Sequence, residues 1–256
     1  MVLINSKSGL EYYLMNYRDR IYSKYVSAHI SHVHKESRLE EIEAQFKVWS
    51  HYFDRFLPAD KSAKILEIGC GNGGFVLWLE RLGFVNSFGV DVSKEQTDEA
   101  GRLGIKNVSH GDLLEFLKTK RGEYAVIFAR DLIEHFDKEK VFEIFDLAHQ
   151  ALSADGLFVV QTPNGESPMS GRFRYWDFTH ETSFTASSFG QISRTVGFRE
   201  ADVYPMGPVV HGLKSFVRFL IWNVVVLFVR FYLLAETGSG AGIFTQNLIG
   251  AAYKES

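Results

Sequence analysis

Hydrophobic positions along the chain change period several times, and each change marks an element. Leu39, Ile42, Phe46, Trp49, Phe53 and Phe56 recur at alternating three- and four-residue steps. That spacing predicts one amphipathic helix, which Pro58 ends. Short apolar runs then appear at 64–69, 86–91, 106–110, 124–129 and 156–161, with helical patterns around 74–82, 94–102, 112–119 and 138–152 between them. Strands alternating with helices predict a doubly wound, mostly parallel α/β sheet. Asp155-Gly156 reads as the turn into the fifth strand. Thr185 reads as the N-cap of a helix over 186–197, stopped by Gly197-Phe198. Strands around 199–204 and 245–253 complete a seven-stranded sheet as a hairpin. The expected organisation is an N-terminal helical cap over 1–60 and one α/β domain over 61–256, with an insertion at 206–243 too long for a hairpin connection.

The densest turn chemistry lies in Ala63-Lys-Ile-Leu-Glu-Ile-Gly-Cys-Gly-Asn-Gly-Gly74. An apolar strand enters a glycine loop and a helix follows. Glycines allow positive φ and let backbone N–H groups approach a ligand. The helix N-terminus behind them favours polar or anionic groups. Gly69, Gly71 and Gly74 satisfy the dinucleotide pattern G-x-G-x-x-G. Three features favour S-adenosylmethionine over a nicotinamide. Glu67 with Gly69, Gly71 and Gly73 gives E-x-G-x-G-x-G, with Cys70 inside the loop. Asp91, followed by Val92, closes the second strand, where a carboxylate can hold both ribose hydroxyls. His110-Gly111-Asp112-Leu113 closes the third, with Asp112 placed for an adenine amino group. Arg130, ending the fourth strand, joins this predicted cofactor set. Over Lys64 to Phe198 these motifs resemble the class I S-adenosylmethionine-dependent methyltransferases, and the resemblance implies the Rossmann-like methyltransferase fold.

Phe128-Ala-Arg-Asp131-Leu-Ile-Glu134-His135 ends the fourth strand, beside the expected ligand crevice. If a helical turn begins there, Asp131, Glu134 and His135 share a face. Two carboxylates and an imidazole suit a divalent metal such as Mg²⁺ or Mn²⁺, with His180 from the loop after strand five as a fourth ligand. The set Asp131, Glu134, His135 and His180 resembles the metal site of small-RNA 2′-O-methyltransferases, with Asp where those carry a first Glu. The Glu134-His135 pair also resembles the ubiquinone-pathway O-methyltransferases. Without a metal, Glu134 and His135 line the cofactor pocket and His180 serves as general base. His29, His32 and His34 read as a polar loop. Arg172, Arg174, Tyr175 and Trp176 offer forked donors and flat apolar faces suited to a sugar ring or phosphate.

The 256 residues are 46% hydrophobic with net charge −3. That excludes a strongly basic surface and argues against nucleic acid as the main partner. The single cysteine, Cys70, permits no internal disulfide, so a reducing compartment is expected. The N-terminus shows no signal-peptide pattern. This reading gives a cytoplasmic protein. The insertion carries Phe-Leu-Ile-Trp-Asn-Val-Val-Val-Leu-Phe-Val between Arg218 and Arg230. This run is shorter than the about 20 apolar residues a spanning helix needs. It reads as a helix lying at the membrane face, with packing on the sheet, a homodimer contact, a lid or a strand as alternatives. Arg-Tyr-Trp-Asp-Phe-Thr-His-Glu at 174–181 and Ala235-Glu-Thr-Gly238 resemble methyltransferases of bacterial surface polysaccharides, O-antigen or capsule. That resemblance implies methylation of a sugar hydroxyl on a glycan or a lipid- or nucleotide-linked sugar. An aromatic or quinone metabolite, or an RNA 2′-hydroxyl, is the alternative acceptor.

Overall fold

A computed structural model describes residues 17–22 and 38–255. The seven strands are β1 (Ile65–Ile68), β2 (Ser87–Asp91), β3 (Val108–His110), β4 (Tyr124–Arg130), β5 (Leu152–Pro163), β6 (Glu200–Pro205) and β7 (Asn247–Tyr253). They form one sheet in the order β3-β2-β1-β4-β5-β7-β6. β1 to β5 are parallel, and β7 runs antiparallel to both β5 and β6. The predicted final hairpin therefore forms, but β7 sits inside it against β5. The strand order reverses between β1 and β4, and a sheet of this kind binds its ligand in the crevice at such a switch.

Both sheet faces are buried, which is why the central strands read as continuous apolar runs. Ile65, Val126, Phe128, Leu157 and Val159 point to one side, with α2 (Leu39–Glu43), α3 (Phe46–Phe53), α4 (Gly74–Arg81) and α5 (Lys94–Arg102). Leu66, Ile68, Ile127, Ala129, Phe158 and Val160 point to the other, with α6 (Leu113–Lys118), α7 (Lys138–Ala151) and α9 (Ala186–Val196). α1 (Tyr17–Tyr22) and α8 (Ser170–Arg174) are short and lie outside these layers' cores.

Three local expectations change. The helix expected over 39–56 is broken: Gln45 N–H bonds the Ile42 carbonyl at 3.0 Å, a tightened i→i+3 turn between α2 and α3. The break preserves the apolar stripe, so Ile42, Trp49, Phe53 and Phe56 all remain buried. β5 starts at Leu152 rather than 156, because Asp155 (φ 56°) forms a bulge instead of a turn before the strand. The insertion forms one helix, α10 (Leu213–Thr237), of 25 residues. Arg218 and Arg230 lie inside it and Lys214 in its first turn, so it is longer than the apolar run suggested. It does not pack on the sheet: Ser215 is its buried residue, while Ile221, Phe228 and Phe231 are well exposed. The helix over 186–197 forms as predicted, with a Thr185/Ser188 capping box and Gly197 (φ 109°) closing it.

Candidate active site

The loop after β1 carries positive φ at Gly69 (68°), Gly71 (54°) and Gly73 (73°). A Cβ built on Gly69 would lie 2.6 Å from Leu132 Cδ1, so this glycine lets the loops after β1 and β4 close on each other. Asp91, ending β2, braces the loop. Its Oδ2 accepts from Gly71 N–H at 2.8 Å and its Oδ1 from Ser93 N–H at 2.7 Å. Burial pushes the Asp91 carboxyl up, and these two bonds pull it part of the way back. Asp112 caps α6, with Oδ1 accepting from Leu114 and Glu115 N–H at 2.8 and 3.0 Å. Between these segments lies a crevice of about 250 Å³.

Of the predicted cofactor residues, Gly69, Gly71, Asp91, Val92, Asp112 and Leu113 line this crevice. Glu67, Cys70, Gly73, Gly111 and Arg130 are not on its walls but support it from behind. Cys70 is buried under Gly89, and burial pushes its thiol well up, which suits packing rather than nucleophilic chemistry. Gly111 N–H bonds the Asp91 carbonyl at 2.9 Å. Arg130 Nε donates to Glu67 Oε1 at 2.9 Å, and its guanidinium lies 4.1 Å from the Phe75 ring centre and 4.9 Å from that of Trp49. Glu67 is 1% exposed, and burial lifts its carboxyl to about 7 despite Arg130. Its Oε2 is buried without a hydrogen-bond partner among the described residues. Sequence reasoning missed Ser93, Gln96, Leu132, Phe136 and Lys140 on the walls. Ser93 carried a signal, since it caps α5 by accepting from Gln96 N–H; the others are brought in by tertiary packing.

A second cavity, of about 450 Å³, opens on the other side of Asp131 and His135, which line both spaces. Its walls add Glu134, Pro163, Arg172, Phe173, Trp176, Asp177, His180, Gln246 and Asn247. The helical turn expected from Asp131 does not form. Asp131 takes positive φ (47°), and a 3₁₀ turn spans Ile133–His135 only. The Asp131 carboxylate instead accepts from Gln161 Nε2 at 2.7 Å. Asp131 therefore stands outside the cluster formed by Glu134, His135 and His180, whose candidate ligand atoms lie within 4.8 Å of one another.

The cluster is held rigidly. Glu181 and Thr182 N–H bond the Glu134 carbonyl at 2.7 and 3.1 Å, which pins the 177–182 loop over the 3₁₀ turn. Thr162 Oγ1 donates to Glu134 Oε2 at 3.0 Å. Burial first, then the nearby Asp131, push the Glu134 carboxyl well above its ordinary range. Thr179 N–H and Oγ1 both donate to Asp177 Oδ1, at 2.8 and 2.7 Å. With its hydroxyl proton so committed, Thr179 Oγ1 accepts from His135 Nδ1 at 2.7 Å. His180 Nδ1 faces the Phe173 carbonyl at 3.0 Å, an acceptor only. Both contacts place the proton on Nδ1 and the lone pair on Nε2, the tautomer suited to a base or a ligand. Burial alone would raise Asp177, but the Thr179 bonds, with His135 and His180, outweigh it and hold the carboxyl low. The imidazoles stand 4.7 Å apart at 69°. From the N-terminal region, Tyr17 Oη donates to Glu181 and its ring meets Phe178 edge-on at 6.0 Å. His29, His32 and His34, read from the sequence as a polar loop, lie outside the described residues.

Comparison with known proteins identifies the family and the fold. A methyltransferase domain family model matches residues 42–201. Cyclopropane mycolic acid synthase 1 of Mycobacterium tuberculosis is 26% identical over 62% of this chain and 55% of its own length. An uncharacterised Rickettsia prowazekii protein is 32% identical over 39% of this chain and 19% of its own. The chain thus spans about half or less of these relatives. A SAM-dependent methyltransferase from Archaeoglobus fulgidus superposes with a TM-score of 0.61 at 22% identity, covering 84% of this chain and 97% of that one. Haemonchus contortus phosphoethanolamine N-methyltransferase 2, bound to phosphomonomethylethanolamine and S-adenosylhomocysteine, superposes at 0.60 with 16% identity over 92% and 60%. These structures share the Rossmann-like methyltransferase fold. With a family match over residues 42–201, the chain belongs to the methyltransferase domain family, and its sheet is the Rossmann-like fold seen in S-adenosylmethionine-dependent methyltransferases.

Proposed function

We propose that the protein is an O-methyltransferase acting on a sugar hydroxyl of a bacterial glycan or of a lipid- or nucleotide-linked sugar. The observation that carries this reading is the Glu134/His135/His180 cluster on the far side of the wall that separates donor crevice from second cavity. A sugar hydroxyl is too weak an acid to ionise unaided at neutral pH, so its methylation needs an adjacent group that takes or weakens the proton. In the neutral form of each ring, His180 and His135 carry on Nε2 the lone pair that can take this proton. A divalent cation held by Glu134, His135 and His180 would lower the hydroxyl pKa further. The donor set fits one: a buried carboxylate that burial makes hard to ionise, beside two imidazoles whose Nδ1 protons are already committed.

The chain's own groups then have distinct tasks. Asp91 and the glycine loop orient the donor nucleoside. Trp176 and Phe173 offer flat faces to a pyranose ring, and Arg172, Gln246 and Asn247 offer donors to its hydroxyls or to a linking phosphate. Asp131 and His135, common to both spaces, border the path of the methyl group. Transfer forms the oxygen–carbon bond as the sulfonium–carbon bond breaks, and the hydroxyl proton passes to the cluster.

Incubation with methyl-labelled S-adenosylmethionine and nucleotide- or lipid-linked sugars, with chelator and then with added Mn²⁺, tests the reading. Label in an alkali-stable sugar methyl ether, lost in His180→Ala, is expected. Label on nitrogen or carbon, or on a quinone ring hydroxyl, would overturn it.

A further inference from the structure

We infer that α10 is a membrane-embedded helix lying along the bilayer surface, and that the acceptor is met there. At 100° per residue, placing Phe219 at 0°, exposed residues that are apolar except for Arg230 near 20°, Asn223 near 40° and Lys214 near 220° cover an arc to about 240°: Leu227 near 80°, Val224 near 140°, Phe228 near 180°, Ile221 near 200° and Val225 near 240°. The face toward the protein is narrow. Ser215, Trp222, Val226, Val229 and Leu233, the more covered residues, fall between about 280° and 340°. Arg218 and Arg230 fall near 260° and 20°, at the two borders of that face. Arg230 is held by the chain that follows the helix, while Arg218 at the other border and Lys214 in the first turn, near 220°, can reach anionic lipid phosphates as the apolar arc enters the acyl region.

The width of the arc decides between occupants. A second copy of the helix would cover an apolar stripe of roughly 100°. It would leave more than half of this surface in water, whereas hydrocarbon covers all of it. Length alone, about 37 Å for 25 residues, would suffice to cross a bilayer. Connectivity argues against crossing. Both flanking segments leave adjacent rungs of the sheet, where Pro205 pairs with Leu248. Beyond Gly238 the chain turns back along the helix, with Arg230 Nη1 donating to the Gly240 carbonyl at 2.7 Å. A crossing helix would drag this non-helical return through hydrocarbon, where its backbone groups have no partners.

The return segment leads to the second cavity. Arg230 lies 5.5 Å from the Phe244 ring centre, and Asn164 Nδ2 donates to the Ile243 and Thr245 carbonyls at 2.5 and 2.9 Å. Gln246 and Asn247 then line the cavity wall. Tyr175, Trp176 and Phe178, on the loop that carries His180, are 77%, 59% and 82% exposed. An acceptor whose sugar headgroup is carried on an apolar anchor is the chemistry this arrangement suits. The anchored acceptor rests on the O-methyltransferase reading, but the membrane contact does not.

Flotation of the full chain with phosphatidylglycerol/phosphatidylcholine vesicles, alongside its mass in solution, is the test. The wild type is expected to float with vesicles, and Ile221→Asp/Phe228→Asp to lose at least tenfold of the bound fraction while binding S-adenosylhomocysteine as before. Because vesicle binding is read without turnover, its failure is distinct from failure of the acceptor assignment. A wild type that stays in the aqueous fraction, as monomer or as a dimer joined through α10, would overturn the inference. So would a double variant that floats as the wild type does.

Discussion

The donor crevice and the second cavity share the wall at Asp131 and His135 but are built by opposite means. The donor side is made of backbone: glycine N–H groups, strand ends and two carboxylates that brace them from within about 25 residues of each loop. The second cavity is made of side chains from four distant segments, around 134, 163, 172–180 and 246. Backbone sites bind what the fold family binds, and side-chain sites are free to differ. Under the proposed reading, the donor side belongs to a fold that in the Haemonchus contortus enzyme carries S-adenosylhomocysteine, while the acceptor side is particular to this chain.

The sharpest way to break this comparison is to disable one side and read the other. Glu134→Gln or His180→Ala, which touch only the second cavity, are expected to cost turnover about 10²- to 10⁴-fold and change S-adenosylhomocysteine affinity less than about threefold. Steady-state kinetics beside calorimetry checks both numbers. Asp91→Ala should act in the reverse sense. It strands the Gly71 and Ser93 N–H groups and should weaken S-adenosylhomocysteine by about 10- to 100-fold, ~1.4–2.7 kcal/mol. Equal losses in both assays for either variant would dissolve the division.

Thr179→Val probes the link from Asp177 to His135. Turnover should fall roughly tenfold with cofactor affinity intact, and Thr179→Ser should restore it. A merely structural hydroxyl would leave no such rescue. The smallest effect concerns Glu67. Burial raises its carboxyl from an ordinary 4.5 to about 7. The folded chain then holds a proton that the unfolded chain releases, so this stabilising contribution is full below about pH 4.5 and is lost as pH rises to about 7. Chemical denaturation across that window should show stability falling with pH in the wild type and a flatter profile in Glu67→Gln.

The same contrast explains what the sequence made legible. Gly69, Gly71, Asp91 and Asp112 are local signals, each a few residues from the strand end it serves, so the crevice could be placed before the fold was known. The alternation of strands with helices and the Thr185 cap follow from period and turn chemistry for the same reason. Leu132, Phe136 and Lys140 reach the crevice only because the β4 loop folds back, and no local pattern announces that. Asp131 was misplaced because helical spacing was assumed where the chain adopts φ 47° and the carboxylate bonds Gln161, a partner from β5. The break in the 39–56 helix was invisible because the apolar stripe continues through it. α10 was underestimated because charged residues were read as its ends, yet Arg218 and Arg230 sit within the helix, at the borders of its protein-facing strip.

Calorimetric titration of S-adenosylhomocysteine into wild type and Glu134→Gln/His180→Ala, each with and without Mn²⁺, tests the central claim most directly. The account predicts nearly equal cofactor affinity in both proteins and a Mn²⁺ signal in the wild type alone. Loss of cofactor binding in the variant would place the cluster in the donor site and contradict the division, and a wild type indifferent to Mn²⁺ would contradict the metal and leave His180 to act as base.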